Sequence, residues 1–402
     1  MKLNIEYNDP ILDSGPNDTK RLPLIMKILA LLCILQAAFS IIIEYTYLFT
    51  FVYQLTHGAT SQNSTTIIIL YAVFLAAMLV MIVGLMMLGI YMLCNLRRLA
   101  AYTSTIVAIA IGLAAVTDIM LVGIKITSFI LLLTLVILIA FKSYIDPSLS
   151  QERKLQKKLK NMQTKKESEE GTLGLSKKGS GYAELNYFNI IWIFVTCCIL
   201  GYIVEIIWHM TVDDPGVYQE RAGFLFGPFS PIYGIGGILM TVCLNRLTKK
   251  NIIVVFVVSA LLGGFFEYFA SLFLEMSFGV KSWDYSHLPF NIEGRTSLRF
   301  FIMWGIFGTV WVKLLFKPLI KIINKIPWKL RYSLTVIISI IVFVNALMTL
   351  QALDCWYERS AGKSQNTPIE QFYNKYFNDD FMHKRFENMQ MNPNAATRGT
   401  DQ

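Results

Sequence analysis

Carboxylates stand inside long apolar stretches in the C-terminal half of this 402-residue chain, where a charged side chain is costly. One is Glu205, and two others, Glu267 and Glu275, share a later stretch with Ser271. At about 100° per residue, Gly264, Glu267, Ser271 and Glu275 would fall within an arc of roughly 80° on a helix. The two carboxylates on this arc are then roughly 12 Å apart along the helix axis. Because intramembrane acids usually face a bundle interior or an aqueous cavity, we expect these side chains to line a shared polar space.

The segment Glu220–Gly237 combines two prolines and repeated glycines with apolar residues. It cannot begin as a regular helix, and non-helical backbone at membrane depth survives only where protein or water covers it. We interpret it as a re-entrant hairpin or broken helix that lines a cavity, with a plain interfacial turn as the alternative. It adds Arg221 and Tyr233 to the candidate site. The candidate cationic partners of the acids are Arg221, Arg295 and Arg299.

A second segment, Lys281–Arg295, mixes aromatic and polar side chains between two apolar stretches. Its Trp283 suits the headgroup region of a membrane. Asp284 and Arg295 could form a bidentate pair, or Arg295 could bind an anionic substrate or lipid headgroup. Asn291 completes the polar side chains that we assign to the candidate site.

Other kinds of chemistry lack their residue patterns in this sequence. The six cysteines form no C-x-x-C pair, and most lie in or at the ends of apolar stretches, which is typical of packing residues. No G-x-x-x-x-G-K-[ST] loop, Ser-His-Asp arrangement or metal-ligand spacing occurs. We therefore predict no metal and no cofactor, and the pattern favours a non-enzymatic role while an enzymatic one stays open.

The elements that position these residues are predicted to be transmembrane helices. The chain is 54% hydrophobic and only 16% charged, with a mean hydropathy of +0.50. Apolar runs of 18 or more residues without strict alternation indicate helices rather than barrel strands. The sequence predicts an all-α, polytopic transmembrane bundle of about nine spans. They are Leu22–Thr46, Ile67–Leu93, Thr103–Gly123, Thr127–Phe141, Phe188–His209, Ser230–Leu247, Ile252–Met276, Phe300–Phe316 and Leu334–Leu353.

Lysines and arginines cluster at alternating ends of these spans, which accounts for the formal net charge of +9 without a nucleic-acid site. The positive-inside rule places the N-terminus and the basic loops on the cytoplasmic side of the plasma membrane, and it places the C-terminus on the outer side. The tail after Cys355 conflicts mildly with this orientation because it carries several basic residues.

The organisation is modular. We predict a four-span N-terminal module over 1–145, a charged cytoplasmic linker over 146–185, a five-span module over 186–354, and a polar tail with a short amphipathic helix over 355–402. Within the second module, Phe316–Leu330 alternates lysine with isoleucine and leucine at helical spacing. It predicts an amphipathic helix on the cytoplasmic leaflet, or alternatively a docking helix for a motor subunit. Its predicted apolar face consists of Leu319, Ile322, Ile323 and Ile326.

Residues from about 188 onward resemble the CmpB-like family of type IV ABC-transporter permeases, found in bacterial membranes. The similar stretches are Gly201–Glu205, Gly223–Gly236, Phe266–Glu275 and Trp283–Arg295, followed by Trp304-Gly305. Ala222 departs from the more usual Asn-Arg-Gly pattern, and Arg221 is its candidate equivalent. The resemblance implies a membrane permease that a separate ATPase drives, since this sequence carries no ATP-binding loop. It supplies no substrate and no catalytic residues, and spans one to four lie outside it.

Three hypotheses follow. The first is a bacterial permease subunit in which Glu205, Glu267 and Arg295 line an outward-facing cavity, with the lipid bilayer, a separate ABC ATPase and self-association as its partners. The second is a membrane-embedded enzyme that modifies a lipid, with Glu267 or Asp284 as acid or base. The third is a non-catalytic membrane scaffold or sensor, in which changes at Glu205, Glu267 or Arg295 alter only the amount of protein.

Overall fold

The computed structural model describes residues 24–57, 64–145, 187–247, 250–323, 325–364 and 366–398. The chain divides into two compact units, Met1–Lys160 and Asn161–Gln402. The predicted charged linker over 146–185 lies outside the described residues, so its helical and flexible parts stay predictions.

The first unit consists of four helices that pack in sequence order. They are α1 (Leu24–His57), α2 (Ser64–Leu93), α3 (Arg97–Val122) and α4 (Ile126–Ile145). Each helix contacts the next one along the chain, as short connections between antiparallel neighbours require.

The second unit contains the remaining helices and four short strands. Its long helices are α5 (Tyr187–Trp208, extended by a π-helical turn, His209–Asp213), α6 (Pro231–Leu244), α7 (Ile252–Phe278), α8 (Leu298–Val310, extended by a second π-helical turn, Trp311–Leu315) and α10 (Trp328–Ser360). The shorter elements are α9 (Phe316–Ile323), α11 (Pro368–Tyr376), α12 (Asp379–Arg385), β1 (Val280–Lys281), β2 (Asn291–Ile292), β3 (Thr296–Ser297) and β4 (Gln390–Met391).

The predicted all-α membrane bundle is confirmed. Among the described residues, six helices are long and apolar enough to cross a membrane, namely α1, α2, α3, α5, α7 and α10. Two further predicted spans correspond to shorter apolar segments, Ile126–Leu138 in α4 and Pro231–Leu244. The remaining predicted span, Phe300–Phe316, is divided between α8 and its π-helical turn.

A buried carboxylate ties three helices of the first unit together. Asp118 of α3 is fully buried and accepts hydrogen bonds from Tyr47 of α1 at 2.6 Å, and from Thr127 and Ser128 of α4 at 2.9 and 2.6 Å. The Thr127 and Ser128 hydroxyls lie in the first turn of α4, and the Tyr47 hydroxyl approaches from α1. The carboxylate is therefore hydrogen-bonded by protein donors at a helix N-terminus, in place of water. Its arrangement is that of a structural cross-link.

The segment after the second π-helical turn differs from the leaflet helix that the sequence predicted. In α9 the side chains of Phe316, Ile320 and Ile323 are buried in the core of the second unit, while Ile322 is 60% exposed. The apolar face is therefore covered by the protein itself, because α9 folds back against α5 and the preceding turn. Its lysines are left exposed.

The tail after α10 folds onto the end of the second unit that carries the two polar loops. Strand β4 pairs with β1 in antiparallel register, and Arg398 forms an ion pair with the buried Asp354. Arg359 pairs with Asp379, and Arg385 pairs with Glu220. Three of the basic residues that conflicted with the predicted orientation of the tail, Arg359, Arg385 and Arg398, thus form structural ion pairs and need not act as topology signals.

Replacing Asp118 with alanine should loosen the first unit, because three hydroxyls would lose their shared acceptor. We expect a loss on the order of 3 kcal/mol of unfolding free energy. Asp118→Asn keeps one acceptor oxygen and should lose less. Hydrogen exchange followed by mass spectrometry on α1 and α4 measures the effect. Thr105→Val is the control, since the Thr105 hydroxyl bonds only its own helix at Ala101; equal exchange in all three variants would contradict the cross-link.

Candidate functional site

The proline-glycine segment descends into the membrane-spanning part of the second unit before α6 begins. The Ser230 amide donates to the Cys198 carbonyl at 3.0 Å. Cys198 lies ten residues before the end of α5 at Trp208, which is about 15 Å along a helix axis. Helix α6 therefore starts deep, with Pro231 at its first position, and is only 14 residues long. This geometry agrees with the broken-helix interpretation and not with a turn at the interface.

Helix α10 supplies the hydrogen bonds that this non-helical backbone needs. Thr349 accepts from the Leu225 amide at 3.0 Å. Asn345 accepts from the Phe226 amide at 3.2 Å and donates to the Phe226 carbonyl at 2.8 Å. Neither side chain was singled out from the sequence, because an isolated Asn or Thr in an apolar helix gives no sign of a partner more than a hundred residues away. Protein groups thus satisfy part of the non-helical backbone, as irregular structure at membrane depth requires.

Tyr233, on the first turns of α6, lies within electrostatic reach of two of the predicted carboxylates. Its ring packs on Gly201 of α5, where any larger side chain would overlap it. The Tyr233 side chain pairs with Glu205 of α5, and it also lies within electrostatic reach of Glu267 of α7. Glu205 is half-buried, and Glu267 is only 5% exposed. Both acids therefore act electrostatically on the same tyrosine side chain.

The Glu267 carboxylate has partners on three other elements. Tyr285 donates to its Oε1 at 3.2 Å, Thr296 donates to its Oε2 at 3.0 Å, and the Trp304 indole also faces it. Burial, and then the charge of Glu267, raise the pKa of the Tyr285 hydroxyl, so this group stays a donor. We call Glu205, Tyr233, Glu267, Tyr285 and Thr296 the acidic cluster.

Arg221 stands beside the Glu205 end of the acidic cluster. It is in contact with His209 of the first π-helical turn, at 2.7 Å between the arginine Nη2 and the imidazole Nδ1. Its guanidinium also lies 3.9 Å from Asp213, and its charge acts on Glu205. The predicted cation is therefore close to a predicted acid. His209 and Asp213 complete its surroundings and were not predicted.

Arg295 pairs with a different acid from the one that the loop sequence suggested. The Asp284–Arg295 clamp is wrong: Arg295 forms an ion pair with Glu275 and lies 3.4 Å from Glu293. Asp284 instead binds Lys281 at 2.7 Å, and the lysine together with the Ser286 amide lowers the pKa of Asp284 to about 2. The reason is proximity, since Asp284 is three residues from Lys281 in a tight turn. Arg295 as a partner of the α7 acids was predicted correctly.

The remaining predicted residues have mainly supporting positions. The Trp283 indole donates to the Arg295 carbonyl at 2.8 Å. Asn291 donates to the Leu288 carbonyl at 2.8 Å and accepts from the Gly294 amide at 3.0 Å, so it shapes its own loop. Ser271 is buried on the same helix as Glu267, one turn further along.

Sequence reasoning therefore identified three of the five residues of the acidic cluster and missed the other two. Tyr285 and Thr296 were not chosen, although both stand beside residues that were. Their sequence separations from Glu267 are 18 and 29 residues. Helix α7 ends at Phe278, before both residues, so no periodicity within one element relates them to Glu267 and only the folded loop reveals the contact.

The described helices and the acidic cluster define a multi-pass α-helical membrane protein. Residues 192–350 match the model of the CmpB family, described as "Putative ABC-transporter type IV". This match confirms the predicted resemblance for the C-terminal region, and it contains every residue of the acidic cluster. Neither a curated protein nor a solved structure matches the chain.

Breaking the Arg295–Glu275 pair should destabilise the loop that delivers Tyr285 and Thr296. The Arg295 and Glu275 side chains are only 10% and 20% exposed, so removing one partner would leave the charge of the other largely buried. Arg295→Met or Glu275→Gln alone should cost about 3–5 kcal/mol, and the double variant less than the sum. Glu293→Gln, at an exposed partner of Arg295, is the control. Thermal unfolding followed by tryptophan fluorescence measures this; additive losses would show that the two side chains act separately.

Proposed function

We propose that the second unit is a permease subunit of an ABC-type transporter in a bacterial plasma membrane, with a cytoplasmic N-terminus. The substrate would pass the acidic cluster, and ATP hydrolysis by a separate subunit would drive the change of access. The family match supports the transporter class, and the buried cluster supports the route.

The proposal is supported above all by Tyr233, which pairs with Glu205 and lies within electrostatic reach of Glu267. A protein that needed these acids only for packing could replace them with apolar residues, since charged groups at membrane depth are costly. Here two acids from separate helices act electrostatically on one tyrosine, and the helix that carries this tyrosine begins beside the middle of α5. Broken helices with polar residues at their ends are how membrane transporters build substrate sites.

The conformation described has a closed acidic cluster. Tyr285 and Thr296 reach Glu267 from the loop between α7 and α8, and Arg221 approaches Glu205 from the loop between α5 and α6. An outward-facing state would separate these two loops from the helix ends. The remaining candidate residues, including Arg295, Glu275, Ser271, Trp283, Asp284 and Asn291, would then line or support the opened entrance.

The opposite end of the unit offers a surface for the ATPase. The lysines of α9, Lys317 and Lys321, are exposed because the apolar side of this helix is buried in the core. This favours the docking interpretation of the segment over the leaflet interpretation. The substrate would then bind at one end of the unit, and the ATPase would dock at the other.

The test separates docking from transport by using variants at the two ends. Purification of the full chain in mild detergent should retain an ATPase for wild type and for Glu267→Gln, and lose it for the double variant Lys317→Glu, Lys321→Glu. Transport across native membrane vesicles should require ATP in wild type and fall about tenfold or more in Glu267→Gln, a barrier change of about 1.4 kcal/mol. Metabolite profiling of the vesicles with and without ATP provides the readout.

Glu293→Gln is the matched control for transport, because it neutralises an exposed carboxylate near the same loop. Absence of any ATPase, together with ATP-independent vesicles, would refute the permease proposal. Unchanged transport in Glu267→Gln would refute the route through the acidic cluster. If variants at Glu205, Glu267 and Arg295 alter only protein amount, the scaffold hypothesis is favoured instead.

A further inference from the structure

A groove lies between the start of α7 and the end of α8, at the end of the unit opposite the acidic cluster. It has a volume of about 290 Å³ and is open to the surroundings. Its lining is almost entirely apolar, and consists of Ile252, Ile253, Phe256, Ile306, Thr309 and Val310. Such a volume is near the lower end of ligand pockets, and it suits a slender apolar group.

Small residues on α8 create this groove. Gly305 lies against the Phe256 ring, and a Cβ at this position would overlap the ring. One turn further, Thr309 folds its hydroxyl back to the Gly305 carbonyl at 2.8 Å, which leaves its methyl group outward. The two helices therefore approach closely at their backbones while larger residues such as Ile253 and Ile306 stand on either side.

The mouth of the groove is positively charged. Lys313 follows Val310 by three residues, and its ammonium donates to the Lys250 carbonyl at 3.1 Å. Lys250 precedes the lining residue Ile252 by two positions, and both lysine side chains are exposed. Asn251 caps the first turn of α7, so the positive end of that helix dipole points to the same place. The apolar lining of the groove is thus directly followed by the cationic side chains of Lys250 and Lys313.

We propose that this groove binds a phospholipid with an anionic headgroup, one acyl chain lying between α7 and α8 and the phosphate lying against Lys250 and Lys313. The apolar groove faces the hydrocarbon, where a lipid chain is the available occupant, and the lysines stand where the helix ends meet the headgroups. Charge complementarity selects the anionic lipid over a zwitterionic one.

The proposed lipid has a structural consequence for the acidic cluster. Helices α7 and α8 carry Glu267 and Trp304, which meet in the core above the groove. A lipid chain seated between the other ends of the same two helices would stabilise their close packing. The site does not depend on the permease proposal, since it concerns only the surface of the described helices and their charges.

The experiment measures which lipids remain bound to the purified full-length protein. The protein is reconstituted in nanodiscs with equal amounts of phosphatidylglycerol and phosphatidylcholine, released into mild detergent and weighed by native mass spectrometry. Wild type should retain phosphatidylglycerol preferentially. Lys250→Gln with Lys313→Gln should reduce the preference about fivefold for each lysine removed. Thr309→Trp should fill the groove and displace both lipids.

Lys325→Gln is the charge-matched control, because it removes an exposed lysine after α9 that is not among the lining residues of the groove. It should leave the preference unchanged. Equal retention of the two lipids by wild type would overturn the proposal, and so would an undiminished preference in the double lysine variant. Both lysines are exposed, so the double variant keeps the test decisive even if Thr309→Trp fails to fold.

Discussion

The packing of the Tyr233 ring on Gly201 is the contact on which the polar interior of the second unit depends. The glycine allows α5 and α6 to approach until the tyrosine pairs with Glu205 and comes within electrostatic reach of Glu267. A side chain at Gly201 would push the ring away and leave Glu205 at membrane depth without this partner. The cost of an unsatisfied acid in such surroundings makes this contact a constraint on the whole arrangement.

The same constraint explains why the loop end is so heavily cross-linked. A chain that begins a helix inside a membrane exposes amides and carbonyls that lipid cannot satisfy. Asn345 and Thr349 of α10 satisfy part of this backbone, and Arg385 of the tail donates to the Phe224 carbonyl at 2.9 Å. The tail is thus part of the structure that covers the broken helix, which accounts for its ion pairs and its strand pairing with β1.

The two ends of the second unit differ in chemistry because they meet different needs. The loop end concentrates acids and aromatic donors around a buried centre, whereas the opposite end presents lysines to its surroundings. At that opposite end, the core buries Phe316 and Ile320 and thereby turns Lys317 and Lys321 outward. The proposed motor contact, the proposed lipid site and the acidic cluster consequently occupy separate places on one set of helices.

The sequence by itself determined the class of structure and part of the candidate site. Long apolar runs dictated membrane helices, and the placement of Glu267 and Glu275 on one helix face followed from helical periodicity alone. Even the broken helix was predictable, because proline and glycine in an apolar stretch exclude a regular helix start. These inferences succeed because they depend on neighbours along the chain.

Only the tertiary structure decided which side chains meet. The loop sequence suggested Asp284 as the partner of Arg295. The fold instead pairs Arg295 with Glu275, while Asp284 bonds the nearer Lys281. Tyr285 joins Glu267 because a loop folds back over a helix end. Contacts of this kind depend on the path of the loop and on the packing of distant helices, and no spacing in the sequence encodes either one.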